Sequence, residues 1–249
     1  MDTTPDFLSH LEELRKRILV SLFVFVACTV AAYFFSRQIV NFLIEPLHKQ
    51  QNAQLVFQTP YEAFLTYVKV SAVTGLLLSL PVIFFEFWKF VSPGLYDREK
   101  KVILPLSFVC VLLFLAGVCF AYFLVIPFGL GFLLSFQTES LRPLIAIAPY
   151  FSFLLGMILA FGALFDFPVV LLGLIKLGVM KTETLASMRK LIVVGIFVVA
   201  AILTPSPDPV SQLLLAIPLV LLFEITLLIA GRIEKKAPKT PQDQGIQGR

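Results

Sequence analysis

The sequence predicts an all-α membrane protein with six transmembrane helices and both termini cytoplasmic. Three observations predict it. The 249-residue chain is 58% hydrophobic and only 14% charged, with 26 Phe, and its mean hydropathy is +0.92. Soluble domains run at about 45–50% apolar and about 25% charged, so a water-facing globule has no place for this much apolar surface. Disorder is excluded as well, because disordered chains lack apolar residues. Second, uncharged runs long enough to cross a bilayer recur along the chain. Third, Lys and Arg crowd onto alternate connections, as they do when basic residues set orientation.

The N-terminal segment, about residues 5–17, places Phe7, Leu11, Leu14 and Ile18 at helical spacing. It reads as an amphipathic helix lying in the interface. The chain starts acidic and polar and lacks the basic end of a secretory signal, so the first apolar run, 18–35, reads as a retained span. Span 2, about 70–90, is interrupted by Pro81 and Glu86. Span 3 starts near Val102. No charge occurs from 102 to 136, and Pro127, Gly129 and Gly131 are expected to turn the chain out of the membrane. Span 4, about 148–174, contains Asp166. Span 5, about 191–203, and span 6, about 210–229 with Glu224, form a hairpin around a stiff turn of three prolines at 204–209.

Spans 5 and 6 look short. Fourteen residues separate Lys190 from Pro205, about 21 Å of helix against a hydrocarbon core of about 30 Å. Either the bilayer thins there or these helices pack against protein. Residues 1–231 read as one membrane domain. From Arg232 the tail is polar and is expected to be disordered. Of the 20 Lys and Arg, 16 fall on the N-terminus, the second and fourth connections and the tail. Arg37, Lys49, Lys69 and Arg142 alone fall on the other side. The net charge of +4 thus serves orientation, and no nucleic-acid partner is expected.

The scarce acids carry the functional interest. Glu13 sits four residues before Arg17, so the two can pair along the helix. Alternatively, Glu13 receives a cation from a ligand. The second connection sets Phe90 and Tyr96 beside Asp97 and Glu99. Aromatic rings beside carboxylates suit an extended cationic peptide, because a guanidinium forks onto carboxylate and stacks on rings. Asp166, in Phe165-Asp166-Phe167-Pro168, costs on the order of 2.5–3.5 kcal/mol on insertion scales and should face protein or water. It can also be read as an acid near a helix break at Pro168. Glu86 and Glu224 lie toward cytoplasmic ends and are weaker cases. Gln212 can bond a neighbouring helix.

Cys28, Cys110 and Cys119 lie inside apolar runs and read as packing residues. The sequence has no GxxxxGK, HExxH or GxSxG, and no nucleophile, base and oxyanion donor assemble, so neither catalysis nor a cofactor is expected.

An ordered series of short motifs along residues 6–233 resembles the TatC family, the polytopic core of the twin-arginine protein translocase. It runs from Ser9-His10-Leu11-Glu12-Glu13-Leu14-Arg15-Lys16-Arg17 through Glu45-Pro46-Leu47, Leu80-Pro81-Val82 and Phe90-Val91-Ser92-Pro93-Gly94-Leu95-Tyr96. Glu99, Phe120-Ala121-Tyr122-Phe123, Phe161-Gly162 and Asp166-Phe167-Pro168 follow. It closes on Leu203-Thr204-Pro205, Asp208, Ser211 to Pro218, and Phe223-Glu224.

The resemblance implies a receptor in the bacterial inner membrane that binds Arg-Arg signal peptides of folded cargo. Glu13 and Glu99 match the family's key carboxylates, and Arg15, Phe90 and Pro46 match other positions it depends on. Asp166 stands where relatives often carry Glu. Gln212 matches a site where single-span partners of the TatA and TatB types dock. A hetero-oligomer of several copies, driven by the proton-motive force, is implied too. The rival reading is a proton-coupled small-solute transporter using Asp166. Such folds repeat their broken helices, and the Asp166-Phe167-Pro168 pattern has no second copy.

Overall fold

The computed structural model describes residues 4–48, 54–91, 103–135, 144–176, 182–203 and 209–236. In chain order they form α1 (Thr4–Phe34), α2 (Ser36–His48), β1 (Gln54–Val56), α3 (Glu62–Val91), α4 (Ile103–Phe120), a π-helical turn (Ala121–Val125) and α5 (Ile126–Leu134). Then come β2 (Leu144–Ala146), α6 (Ile147–Lys176), α7 (Thr182–Ser187), α8 (Arg189–Leu203) and α9 (Pro209–Lys236). The Pro-rich turn at 204–208 and the tail from 237 lie outside the described residues.

Among the described residues, five stretches are long and apolar enough to cross a bilayer: His10–Phe34, Glu62–Phe90, Pro105–Leu134, Ile147–Gly173 and Leu215–Arg232. α8 has 15 residues, about 22 Å of helix, and is short as expected. α9 as a helix is longer, 28 residues, and continues past Arg232 to Lys236. Its spanning stretch among the described residues, Leu215–Arg232, has 18 residues, about 27 Å, and is short as expected.

Three other expectations are corrected. The amphipathic segment and the first span are one helix, α1, because no Gly or Pro interrupts residues 6–34. Pro127 and the two glycines do not turn the chain out of the membrane. A π-helical turn, Ala121–Val125, directly precedes α5 and the helical run continues through Pro127; the widened turn accommodates the hydrogen bond that the proline cannot make. Pro81 and Pro168 break nothing either: α3 and α6 continue through them. Packing inside a protein tolerates proline at membrane depth where neighbours re-satisfy the freed backbone groups.

The connection between α1 and α3 is itself structured. α2 buries Ser36, Val40, Leu43, Pro46 and Leu47, an apolar stripe at helical spacing. β1 then pairs in parallel with β2, Gln54 opposite Leu144 and Val56 opposite Ala146.

The chain divides into two compact units, and the boundary falls inside α6, between Asp166 and Phe167. In the first unit, α1 on α3 is the broadest helix contact among the described residues. Backbones touch there: a Cβ on Gly75 would lie 2.5 Å from the Cα of Thr29. Small residues permit such approaches between membrane helices. Ser71 and Ser79, both buried, donate to their own helix at Tyr67 O (2.7 Å) and Leu76 O (2.9 Å), which satisfies the hydroxyls without a neighbour. In the second unit Leu171, Leu185 and Phe223 form a buried core, flanked by Ile175, Ile192, Ile196 and Leu227.

Candidate functional site

Among the described residues, the most charged cluster of the first unit lies where α1 meets the last turns of α3. On α1, His10, Glu13 and Arg17 follow one another at spacings of three and four, so they share a face. On α3, Glu86 and Phe90 are likewise one turn apart. The Arg17 guanidinium bridges the two helices. Its Nε donates to Glu13 Oε1 at 3.2 Å, its Nη2 donates to the same oxygen, and its Nη1 donates to Glu86 Oε2 at 2.8 Å. Arg17 and Glu86 side chains are only 15% and 16% exposed, whereas Glu13 is 35% exposed. The His10 ring stacks on Phe90, centroids 4.6 Å apart. A groove of about 360 Å³ opens beside the ion pairs, lined by Leu14, Ile18, Leu22, Phe25, Ile83 and Phe87 among others.

Of the two readings of Glu13, the structure shows the intrahelical pair with Arg17, extended to a second acceptor that the sequence reading ranked low. Arg15 is exposed on α1 and, two residues from Arg17, does not share its face. Glu99, with Asp97 and Tyr96, lies outside the described residues.

Pro46 sits in the last turn of α2 and is buried. A proline has no N–H to give the carbonyl four residues back, which here is Phe42. That carbonyl accepts instead from Tyr122 Oη at 2.7 Å, and the Phe42 and Tyr122 rings stack at 4.6 Å. Tyr150 Oη donates to the next carbonyl, Leu43 O, at 2.9 Å. Two tyrosines from elsewhere in the unit thus fasten the end of α2. The tyrosines were not singled out as site residues, although the spacing of Phe42 and Pro46 contained the signal for a freed carbonyl.

Asp166 is 7% exposed. Among the described residues its Oδ1 has no hydrogen-bond partner. Nearby in the same unit, the Trp88 indole donates to Cys110 Sγ at 3.4 Å. In the second unit, Gln212 Nε2 donates to Phe197 O at 3.0 Å, and Arg189 pairs with Glu224 at 2.6 Å. Gln212 therefore bonds a neighbouring helix, as expected, and that helix is α8 of its own chain.

Long apolar helices with prolines carried inside them and few ionic groups define a multi-pass helical membrane protein. The particular family follows from comparison: residues 9–218 match the Sec-independent protein translocase protein (TatC) family, and the chain belongs to it. A TatC of Magnetococcus marinus is 42% identical over 229 residues, covering 91% of this chain and 84% of the relative. A TatC of Aquifex aeolicus is 38% identical over 236 residues, covering 94% and 97%. A crystal structure of the twin arginine translocase receptor TatC superposes with a TM-score of 0.80 at 38% identity, covering 89% of this chain and 99% of the other. The chain is thus a subunit of the Sec-independent protein translocase, a multi-pass protein of the bacterial inner membrane and not an enzyme.

Proposed function

We propose that this chain is the receptor core of the twin-arginine translocase. It binds signal peptides with two consecutive arginines on folded cargo at its cytoplasmic face. It assembles with TatA- and TatB-type single-span subunits, in several copies, for export driven by the proton-motive force. The observation that carries this reading is the partly exposed Glu13 carboxylate, which already takes a guanidinium in the resting chain. A carboxylate with that geometry favours Arg over Lys, because a guanidinium presents parallel N–H donors while an ammonium is a strongly hydrated point charge. Phe90, whose ring stacks on His10 one turn before Glu13, is the aromatic group of this site, and Glu99 supplies the second carboxylate. Arg15 adds a basic group at this end of α1, and Pro46 fixes the outer helix. Support also comes from the solved structure of similar fold, which is described as a receptor. Asp166, whose buried Oδ1 has no hydrogen-bond partner among the described residues, and Gln212 are the polar points assigned to the binding of partner helices.

The test uses full-length protein in lipid nanodiscs and a fluorescent peptide carrying Arg-Arg or Lys-Lys. Arg-Arg should bind at least about tenfold tighter, which is about 1.4 kcal/mol. Glu13→Ala and Glu99→Ala should each abolish that advantage. Equal affinity for the two peptides, or unchanged binding in both variants, overturns the receptor. In the same preparation Asp166→Asn should reduce recovery of single-span partners more than it reduces peptide binding. The reverse order removes the role given to Asp166.

A further inference from the structure

We infer that Glu86 is a positioning residue for signal-peptide capture: the resting chain fills its own guanidinium site with Arg17, and Glu86 retains Arg17 when an incoming arginine takes Glu13. The inference rests on the receptor reading of Glu13. The bonding pattern leads to it. Arg17 gives one edge of its fork, Nε and Nη2, to Glu13, and the remaining nitrogen, Nη1, to Glu86. The two carboxylates use different nitrogens, so one bond set can open while the other stays closed. Exposure makes the two ends unequal. Glu13 is reachable from water, at 35% exposed, whereas Glu86 at 16% and Arg17 at 15% are largely enclosed.

Without Glu86, an arriving arginine would leave the enclosed Arg17 cation unpaired, and breaking a buried pair by taking one partner away is strongly unfavourable. With Glu86 the displaced guanidinium keeps an acceptor 2.8 Å away. The cost of moving Arg17 is the same whatever cation arrives. The device therefore sets affinity, while the preference for Arg over Lys stays with the geometry at Glu13.

The experiment is a double-mutant cycle on full-length protein in nanodiscs, reading Kd for the Arg-Arg and Lys-Lys peptides. In the parent, Glu86→Gln should weaken Arg-Arg binding about tenfold. Arg17→Gln should tighten it, because Glu13 is then vacant. In the Arg17→Gln background, Glu86→Gln should change Kd by less than about twofold. The ratio of the two peptides should stay constant across all four proteins. An equal loss in both backgrounds means that Glu86 acts by charge alone and overturns the inference, as does no loss in the parent. Glu86→Asp, which keeps the charge on a shorter arm, should give an intermediate loss and stands in if Glu86→Gln does not yield monodisperse protein; parent-like binding in Glu86→Asp counts against the inference. Glu13→Ala separates the two failures. If it leaves binding intact, the receptor reading falls. If it abolishes binding while the cycle shows no coupling, only the role of Glu86 falls.

Discussion

At the scale of single residues, the chemistry lies in groups whose bonds are displaced from their usual partners. Pro46 is the clearest case. It removes the N–H that Phe42 O would receive in a regular helix, and Tyr122 fills the vacancy. Tyr122→Phe should therefore cost about 1 kcal/mol, with an unsatisfied carbonyl raising the figure toward ~3. In a Pro46→Ala background the loss should shrink, because an alanine at that position has an N–H to give back to the Phe42 carbonyl. Thermal melts of the four proteins in detergent decide it, and equal losses in both backgrounds would break the link between proline and tyrosine. Pro46 was legible in the sequence as a position of note. Its partner was not, since Tyr122 is far along the chain and only the fold brings its hydroxyl to α2.

At the scale of elements, the pairing of α1 with α3 positions the charged cluster. Thr29 lies against Gly75 and Arg17 against Glu86, so the two helices run antiparallel. Twelve residues separate the contacts on α1 and eleven on α3, nearly equal lengths of helix. The close approach at Gly75 thus sets the register that delivers Arg17 to Glu86. Gly75→Ala places a methyl inside the Thr29 backbone and should destabilise the chain by about 1–3 kcal/mol. Melting temperature and Arg-Arg peptide binding should fall together. An unchanged melting temperature would mean that the helices re-space freely, and the register would then need another cause. The sequence located both helices, because each is a long apolar run. It left the π-helical turn before Pro127 unread, because a proline and two glycines look alike whether they break a helix or are carried within it, and it left α2 unread because a lone Pro46 near polar residues reads equally as part of a loop.

At the scale of the whole molecule, the surface is matched to lipid. Large apolar side chains such as Phe23, Phe34 and Ile202 stand 75%, 78% and 76% exposed, which in water would drive aggregation. The excess of basic residues on alternate connections predicts the orientation. With the native cysteines replaced, Leu144→Cys should react with a membrane-impermeant maleimide in intact cells, whereas Glu183→Cys should react only after permeabilisation. The opposite pattern would invert the assigned topology and move Glu13 away from the cytoplasm, and the receptor reading with it.

By itself the sequence determined the membrane class, the apolar segments, the shortness of α8 and the family, through motifs spread over residues 6–233. Hydropathy sums residue by residue along the chain, so these properties need no knowledge of what touches what. Only the tertiary structure decided that Arg17 has two acceptors, that Glu86 belongs with Glu13, and that a proline on α2 is completed by a tyrosine. Arg17 and Glu86 are 69 positions apart. Their bond depends on helix register, which one glycine contact helps to fix and which no local pattern encodes.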